Sequence, residues 1–437
     1  MRSRLATWLS VLGCLAVLAC GSDYGPPRAR PPTKIQLDGR YVVEGVPYWN
    51  LIGNALTPGH DALDLVVTAA PNAEVVDVWV AGGPGQRLVE DPATGRFTGR
   101  LDISAVPAGE HDILIAANGS DTASSHVVFS RTHPYYVLLS TDWDFAEPGQ
   151  VSLDYHDQLR AEHPDIKFTH FIGPYTFTAP TVTEERKAEL AAWAIARRDQ
   201  HGDELGLHIH PYCHFVETAG VTCNTTDSTV YASDTSGYTI RLDAYSQAEF
   251  EALLTRADQI FVERGLGKPV TFRAGGWTAG LHTLKALAAR GYVADTSANN
   301  WARMEEWQGQ GTLYTWNMTN WSTIGDTSQP YYPNVDDKQS GAPPHVPILQ
   351  VPDNAIMVDY VTRAEMVEIF GLNWPGPALP EPRTFMMGFH PSPSMTMDEY
   401  RRLDGILDHA DQYLASNRAG PVVYAVLEDM PTVWPLP

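Results

Sequence analysis

From Tyr135 to the C-terminus, short apolar runs alternate with amphipathic helical segments, and that alternation restricts the fold more than any other feature. The runs read "YYVLLS", "IKFTHFI", "ELGLHIH", "VTFRAGG", "YVADTS", "ILQVPDNA", "TFMMGFH" and "PVVYAVLE". Between them lie segments with helical period. One opens on a capping box, Ser246 to Glu249, and sets Phe250, Leu253, Leu254, Ala257 and Ile260 on one face. A second box, Thr396 with Glu399, opens "MDEYRRLDGILDHADQYLAS". Seven or eight strands alternating with helices predict an α/β fold, an irregular (β/α) barrel spanning residues 132–437.

The preceding stretch follows a different rule. Residues 34–131 carry "YVVEGV", "LDLVVTA", "EVVDVWVA", "HDILIAA" and "SHVVFS", separated by turn signals such as "GGPGQ" and "PATGR", with no helical period. Such spacing predicts an all-β, immunoglobulin-like sandwich. Residues 20–33, rich in Pro and Gly, read as a tether. Residues 1–19 read as an export signal: "MRSR" supplies the basic start, and the apolar stretch after it is too short and too early to span a bilayer. The stretch ends in "VLAC", which resembles a bacterial lipobox and predicts cleavage before a lipidated Cys20. Gly21, where an acidic residue could stand, resembles export to the outer membrane. In that oxidising compartment Cys213 and Cys223 form a plausible disulfide pair.

The polar residues just past the barrel strands form a set. Asp142 and Asp144 follow the first strand and His208 and His210 end the third. Arg273, Asp295 and His390 close later ones. Chemistry in such barrels sits on the C-terminal rim, above a packed core. A carboxylate with two or three imidazoles suits zinc or a similar divalent ion. A second carboxylate, an arginine and a distant histidine remain for acid–base work. Each residue alone has a plainer reading: a solvated loop acid, a core histidine, a structural ion pair, a turn cap. Their common placement past strands favours a site. The ligand pair stays open between His208 with His210, two apart on one strand face, and His210 with His214, four apart. The net charge of −22 and the lack of a basic cluster argue against a nucleic-acid partner.

At these residues the chain resembles the polysaccharide deacetylases, the NodB-homology or carbohydrate esterase family four. "LLSTDWD", "ELGLHIHP", "FRAGGW", "DTS" and "MGFHPS" resemble its five motifs in order. The resemblance implies a NodB-type barrel holding one divalent ion, zinc by preference, and an N-acetylated polysaccharide as substrate. Carried over, it makes Asp142 the general base and Asp144, His208 and His210 the metal ligands, with His214 as the reserve ligand. Arg273 would orient Asp142, His390 would be the general acid, and Asp295 would orient or tune His390. Three departures stand out. Trp143 separates the two aspartates, the histidines are two rather than four apart, and "AGG" replaces third-motif prolines. The expected function is a lipid-anchored envelope enzyme that removes N-acetyl groups from amino sugars. A silent carbohydrate-binding or adhesion lipoprotein and an amidohydrolase acting on a non-sugar amide are the rivals. Trp301, Trp307, Trp316 and Trp321 suit sugar stacking, though such rings also serve as packing.

Overall fold

The expected barrel strands form in the computed structural model, which describes residues 24–437 except Asp38 and Arg40. They are β1 (Tyr135–Asp142), β2 (Phe168–Ile172), β3 (Glu204–Ile209), β4 (Thr271–Ala274), β5 (Ala294–Asp295), β6 (Leu349–Gln350), β7 (Arg383–Phe389) and β8 (Val422–Ala425). All pair in parallel, in the order β6-β5-β4-β3-β2-β1-β7. β8 shares an edge of β1 with β2, taking Tyr135–Leu138 while β2 takes Leu139–Asp142. Every residue of β1, β2 and β3 is buried, as expected for parallel strands covered on both faces.

The sheet is an incomplete barrel. Among the described residues no strand lies between β6 and β7, and an irregular segment spans that gap. Ala355 N–H donates to Met386 O at 3.0 Å, Gly388 N–H to Ile356 O at 3.2 Å and Val358 N–H to Gly388 O at 2.9 Å. Within that segment Ile356 has a φ of 52°, an unusual conformation for a β-branched residue, so the surroundings must hold it there.

Both expected capping boxes are present, at the starts of the helices Gln247–Glu263 and Met397–Asp411. The helix Gln150–Glu162 carries no comparable apolar stripe. Its buried face includes Ser152, His156 and Arg160 beside Leu153 and Leu159, which hides it from a hydrophobic-period search.

Two compact units make up the chain, each discontinuous in sequence. The second comprises Pro47–Asp61, Ile103–Glu110 and Phe129–Pro437 and contains the barrel. In the first, Val42–Glu44, Ala62–Thr68, Arg96–Asp102 and Val89–Asp91 form an antiparallel sheet in that order. Ala62–Thr68 alternates buried and more exposed positions, the pattern of a strand covered on one face. A further antiparallel set pairs Val76–Val80 with Gln86–Arg87 and with the strand ending at Ala117. The export signal and Cys20 lie outside the described residues. Among the described residues, no helix is long and apolar enough to cross a membrane.

Candidate active site

The C-terminal ends of β1, β3 and β7 deliver their polar residues into one pocket, which Ala274 at the end of β4 also lines. Asp142 ends β1 and Asp144 follows two residues on. His208 lies in β3, His210 follows its last residue, and His390 follows β7. Asp142, Asp144, His208, His210 and His390 all line this pocket, whose volume of about 20 Å³ leaves room for about one water molecule. Tyr231, Tyr238, Trp307, Leu313 and Tyr360 also line it.

Asp144, His208 and His210 each offer a ligand atom, and these atoms lie within 4.8 Å of one another. The residues around them fix both imidazoles. His208 Nδ1–H donates to the Arg273 carbonyl at 2.9 Å, and His210 Nδ1–H donates to the Tyr238 carbonyl at 2.8 Å. In a neutral ring each Nε2 then presents a lone pair, and both face Asp144 Oδ1, at 3.1 and 3.3 Å. His210 Nε2 is buried with no hydrogen-bond partner. Three electron-rich atoms so close repel unless a cation sits among them, and one oxygen with two imidazole nitrogens fits a catalytic zinc set with open positions. Burial alone would disfavour the Asp144 carboxylate. The charge of His390 is the largest opposing influence, and the carboxyl is held well below its ordinary range. Tyr238 O–H donates to Asp144 Oδ2 at 2.7 Å and stays a neutral donor, because burial and the Asp144 charge push its pKa up.

Asp142, whose carboxylate lies within 4.8 Å of Asp144 and His390, is gripped by a buried arginine. Arg273 Nη1 donates to Asp142 Oδ1 at 2.9 Å and to Ser140 Oγ at 2.7 Å, and its guanidinium lies over the Phe171 ring. On the other side Asp353 Oδ2 is 3.3 Å from Arg273 Nη2 and accepts Trp277 Nε1–H at 3.0 Å. Burial pushes the Asp353 carboxyl up to about 6, against the opposing charge of Arg273. Trp277 has a φ of 57°, a strained conformation at the pocket wall. His390 Nε2 is 3.8 Å from Asp144 Oδ2, and its Nδ1 is hydrogen-bonded to Asp359. Burial disfavours the charged ring, but the carboxylates of Asp359 and Asp144 override it and push His390 up to about 10.

Solved structures similar to this chain include several whose names describe polysaccharide deacetylases or family 4 carbohydrate esterases. A candidate polysaccharide deacetylase from Mycobacterium smegmatis is 14% identical over 68% of this chain and 88% of its own, with a TM-score of 0.39. A family 4 carbohydrate esterase from Streptomyces lividans, solved in complex with acetate, is 11% identical over 66% and 91%, with a TM-score of 0.33. The Xyl-CE4 domain of a multidomain xylanase from the hindgut metagenome of Trinervitermes trinervoides is 9% identical over 68% and 89%, with a TM-score of 0.30. No family model matches the chain, and no curated protein matches it.

Two sequence expectations are redirected. His214 is not part of the ligand trio: it sits in the short helix Cys213–Val216, bonded to Thr178 Oγ1 at 2.9 Å and stacked on Tyr212. Cys213, beside it, is joined to Cys223 by a disulfide. Asp295 does not orient His390. Its carboxylate accepts Ser297 N–H at 3.0 Å and Ser297 Oγ–H at 2.7 Å, and it is absent from the pocket lining. The carboxylate that does hold His390 is Asp359, from the irregular segment across the sheet gap. Asp353 lies three residues past β6, so the strand-end rule could have found it. Asp359 and Tyr238 come from loops with no such signal.

The "AGG" departure has a local cause. A Cβ added to Gly275 would stand 2.6 Å from His210 Cγ and Nδ1, so glycine makes room for the ligand ring. Gly276 has a φ of 57°, which glycine adopts freely.

Proposed function

We propose that the second unit is a metal-dependent hydrolase that removes N-acetyl groups from the amino sugars of a polysaccharide. The observation that carries this reading is the pair of imidazoles whose Nδ1–H groups are both spent on main-chain carbonyls, so that both Nε2 atoms converge on one oxygen of Asp144. Asp144, His208 and His210 would hold the ion. A divalent ion such as Zn²⁺ at this trio supplies a Lewis acid for the acyl carbonyl and lowers the pKa of a coordinated water.

The chain's own groups supply the proton traffic. Asp142 takes the proton of the attacking water, and Arg273 keeps its carboxylate aimed. As the water oxygen bonds to the acyl carbon and the C–N bond breaks, protonated His390 gives its Nε2 proton to the departing amine nitrogen. The products are acetate and a free amino sugar. Asp359 fixes the His390 ring through Nδ1, so that Nε2 faces the pocket. The family resemblance of the five strand-end motifs supports the sugar substrate. Lipidation of Cys20 would hold the enzyme at the envelope surface, with the first unit as an immunoglobulin-like spacer.

A rival reading is a hydrolase of small non-sugar amides, because the pocket bounds only the group that reaches the ion. The test combines elemental analysis with acetate release from chitohexaose and from acetamide. About one divalent ion per chain, lost in Asp144→Ala and His208→Ala, with acetate released from the oligomer, is the expected result. Turnover of acetamide alone favours the rival. No bound ion, even after incubation with zinc, refutes both.

A further inference from the structure

At the opposite end of β1 lies a second cavity, of about 400 Å³, walled by Tyr48, Trp49, Phe370, Trp374, His409 and Tyr413. Tyr135, the first residue of β1, donates its O–H to Phe370 O at 2.9 Å, whereas Asp142 ends the same strand in the catalytic pocket. The seven residue steps between them span about 23 Å at ~3.3 Å each. The two cavities therefore open toward opposite ends of the sheet.

The wall has an unusual chemistry. Besides these six rings, only glycines and prolines line it, with no aliphatic side chain and no Lys, Arg, Asp or Glu. A groove for a lipid or an apolar helix would carry Leu, Ile, Val or Met, and one for an anion or a metal would carry charge. Burial, reinforced by the charge of Arg363, lowers the pKa of His409, so its ring adds no charge at neutral pH. The rings brace one another edge to face: Tyr48 on Trp49 at 4.9 Å, Trp49 on Trp374 at 5.4 Å and Trp374 on Tyr413 at 5.0 Å. Tyr48 is anchored at its tip by donating to Glu110 at 2.8 Å and remains 37% exposed. A preformed, uncharged aromatic wall is what the apolar C–H face of a pyranose ring needs.

We propose that this cavity is a secondary carbohydrate-binding site that holds a stretch of a neutral pyranose chain on the face remote from the metal trio. It stands independently of the reaction proposed above, because no residue is shared between the two pockets.

The test measures binding of chitohexaose and of cellohexaose to the full chain by calorimetry and tryptophan fluorescence. Variants Tyr48→Ala, His409→Ala and Asp144→Ala are compared with the unmodified protein, each checked for folding by circular dichroism. At least one hexamer should bind. Tyr48→Ala should weaken that binding about tenfold, the loss expected for one stacked ring. Asp144→Ala should leave it within about twofold. His409→Ala supplies a second reading of the wall should Tyr48→Ala fold poorly. The proposal fails if neither hexamer binds at about 10 mM, or if folded Tyr48→Ala and His409→Ala bind as the unmodified protein does. It also fails if Asp144→Ala abolishes all binding, or if choline occupies the cavity more tightly than either sugar, which would make it a cation cage.

Discussion

Replacing Gly275 with alanine should loosen the metal site without altering any ligand. The added Cβ would stand 2.6 Å from His210 Cγ and Nδ1 and 2.7 Å from Cε1. Carbon atoms in contact prefer about 3.5–4.0 Å, so the ring must retreat by roughly 1 Å. It has no free direction. Nδ1–H is bonded to the Tyr238 carbonyl at 2.8 Å, and the Tyr238 ring stacks on the imidazole with centroids 4.2 Å apart. Gly275 is not among the residues with positive φ, so alanine adds no backbone strain there and the clash with His210 is the whole perturbation. Ligand geometry tolerates errors of about 0.5 Å, and disturbing the groups that aim a ligand typically lowers metal affinity by about 10–100-fold. Competition against a chromophoric chelator reads that change directly, with thermal melting of the metal-free protein as the folding control. Unchanged affinity in a folded Gly275→Ala protein would refute the steric argument and, with it, the placement of His210 at the ion.

Asp359→Asn should lower kcat by about 10²-fold while metal content stays at the unmodified level, because the amide cannot hold His390 as the carboxylate does; steady-state kinetics beside elemental analysis check it. Glu204, buried at the start of β3, is pushed up to about 7 by burial and then by the charge of Glu428. Below pH ~4.5 it is protonated in both folded and unfolded chains, and between about 4.5 and 7 only the unfolded chain ionises, so stability falls across that window. The fall is up to about 3 kcal/mol. Urea unfolding at pH 5 and pH 8 should show the loss, and Glu204→Gln should flatten it. Trp307 lines a pocket of about 20 Å³, so Trp307→Ala should raise kcat/KM for butyryl relative to acetyl amides by about tenfold. An unchanged ratio would mean that this ring does not limit the acyl group.

Much of the site was legible because parallel strands turn a sequence position into a place. Every residue just past a strand must lie on one rim, so Asp142, Asp144, His208, His210, Arg273 and His390 read as a set in the sequence alone. The alternation of strands and helices and the boxes at Ser246 and Thr396 are local features, and local rules predict them well. A rim position does not say where a side chain points, however. Asp295 satisfies the rule, yet its carboxylate turns to Ser297, two residues away. The choice between His210 and His214 also needed the fold: His208 and His210 share one face of a strand end, whereas His214 has entered a helix and turned to Thr178. Asp359 and Tyr238 reach the site from irregular segments, which carry no period to read. Strand order along the chain thus assigned the kinds of groups on the rim and their succession around it. Which of them meet was left to long-range packing, because a hydrogen bond between residues 31 or 94 positions apart depends on how loops pack across the sheet.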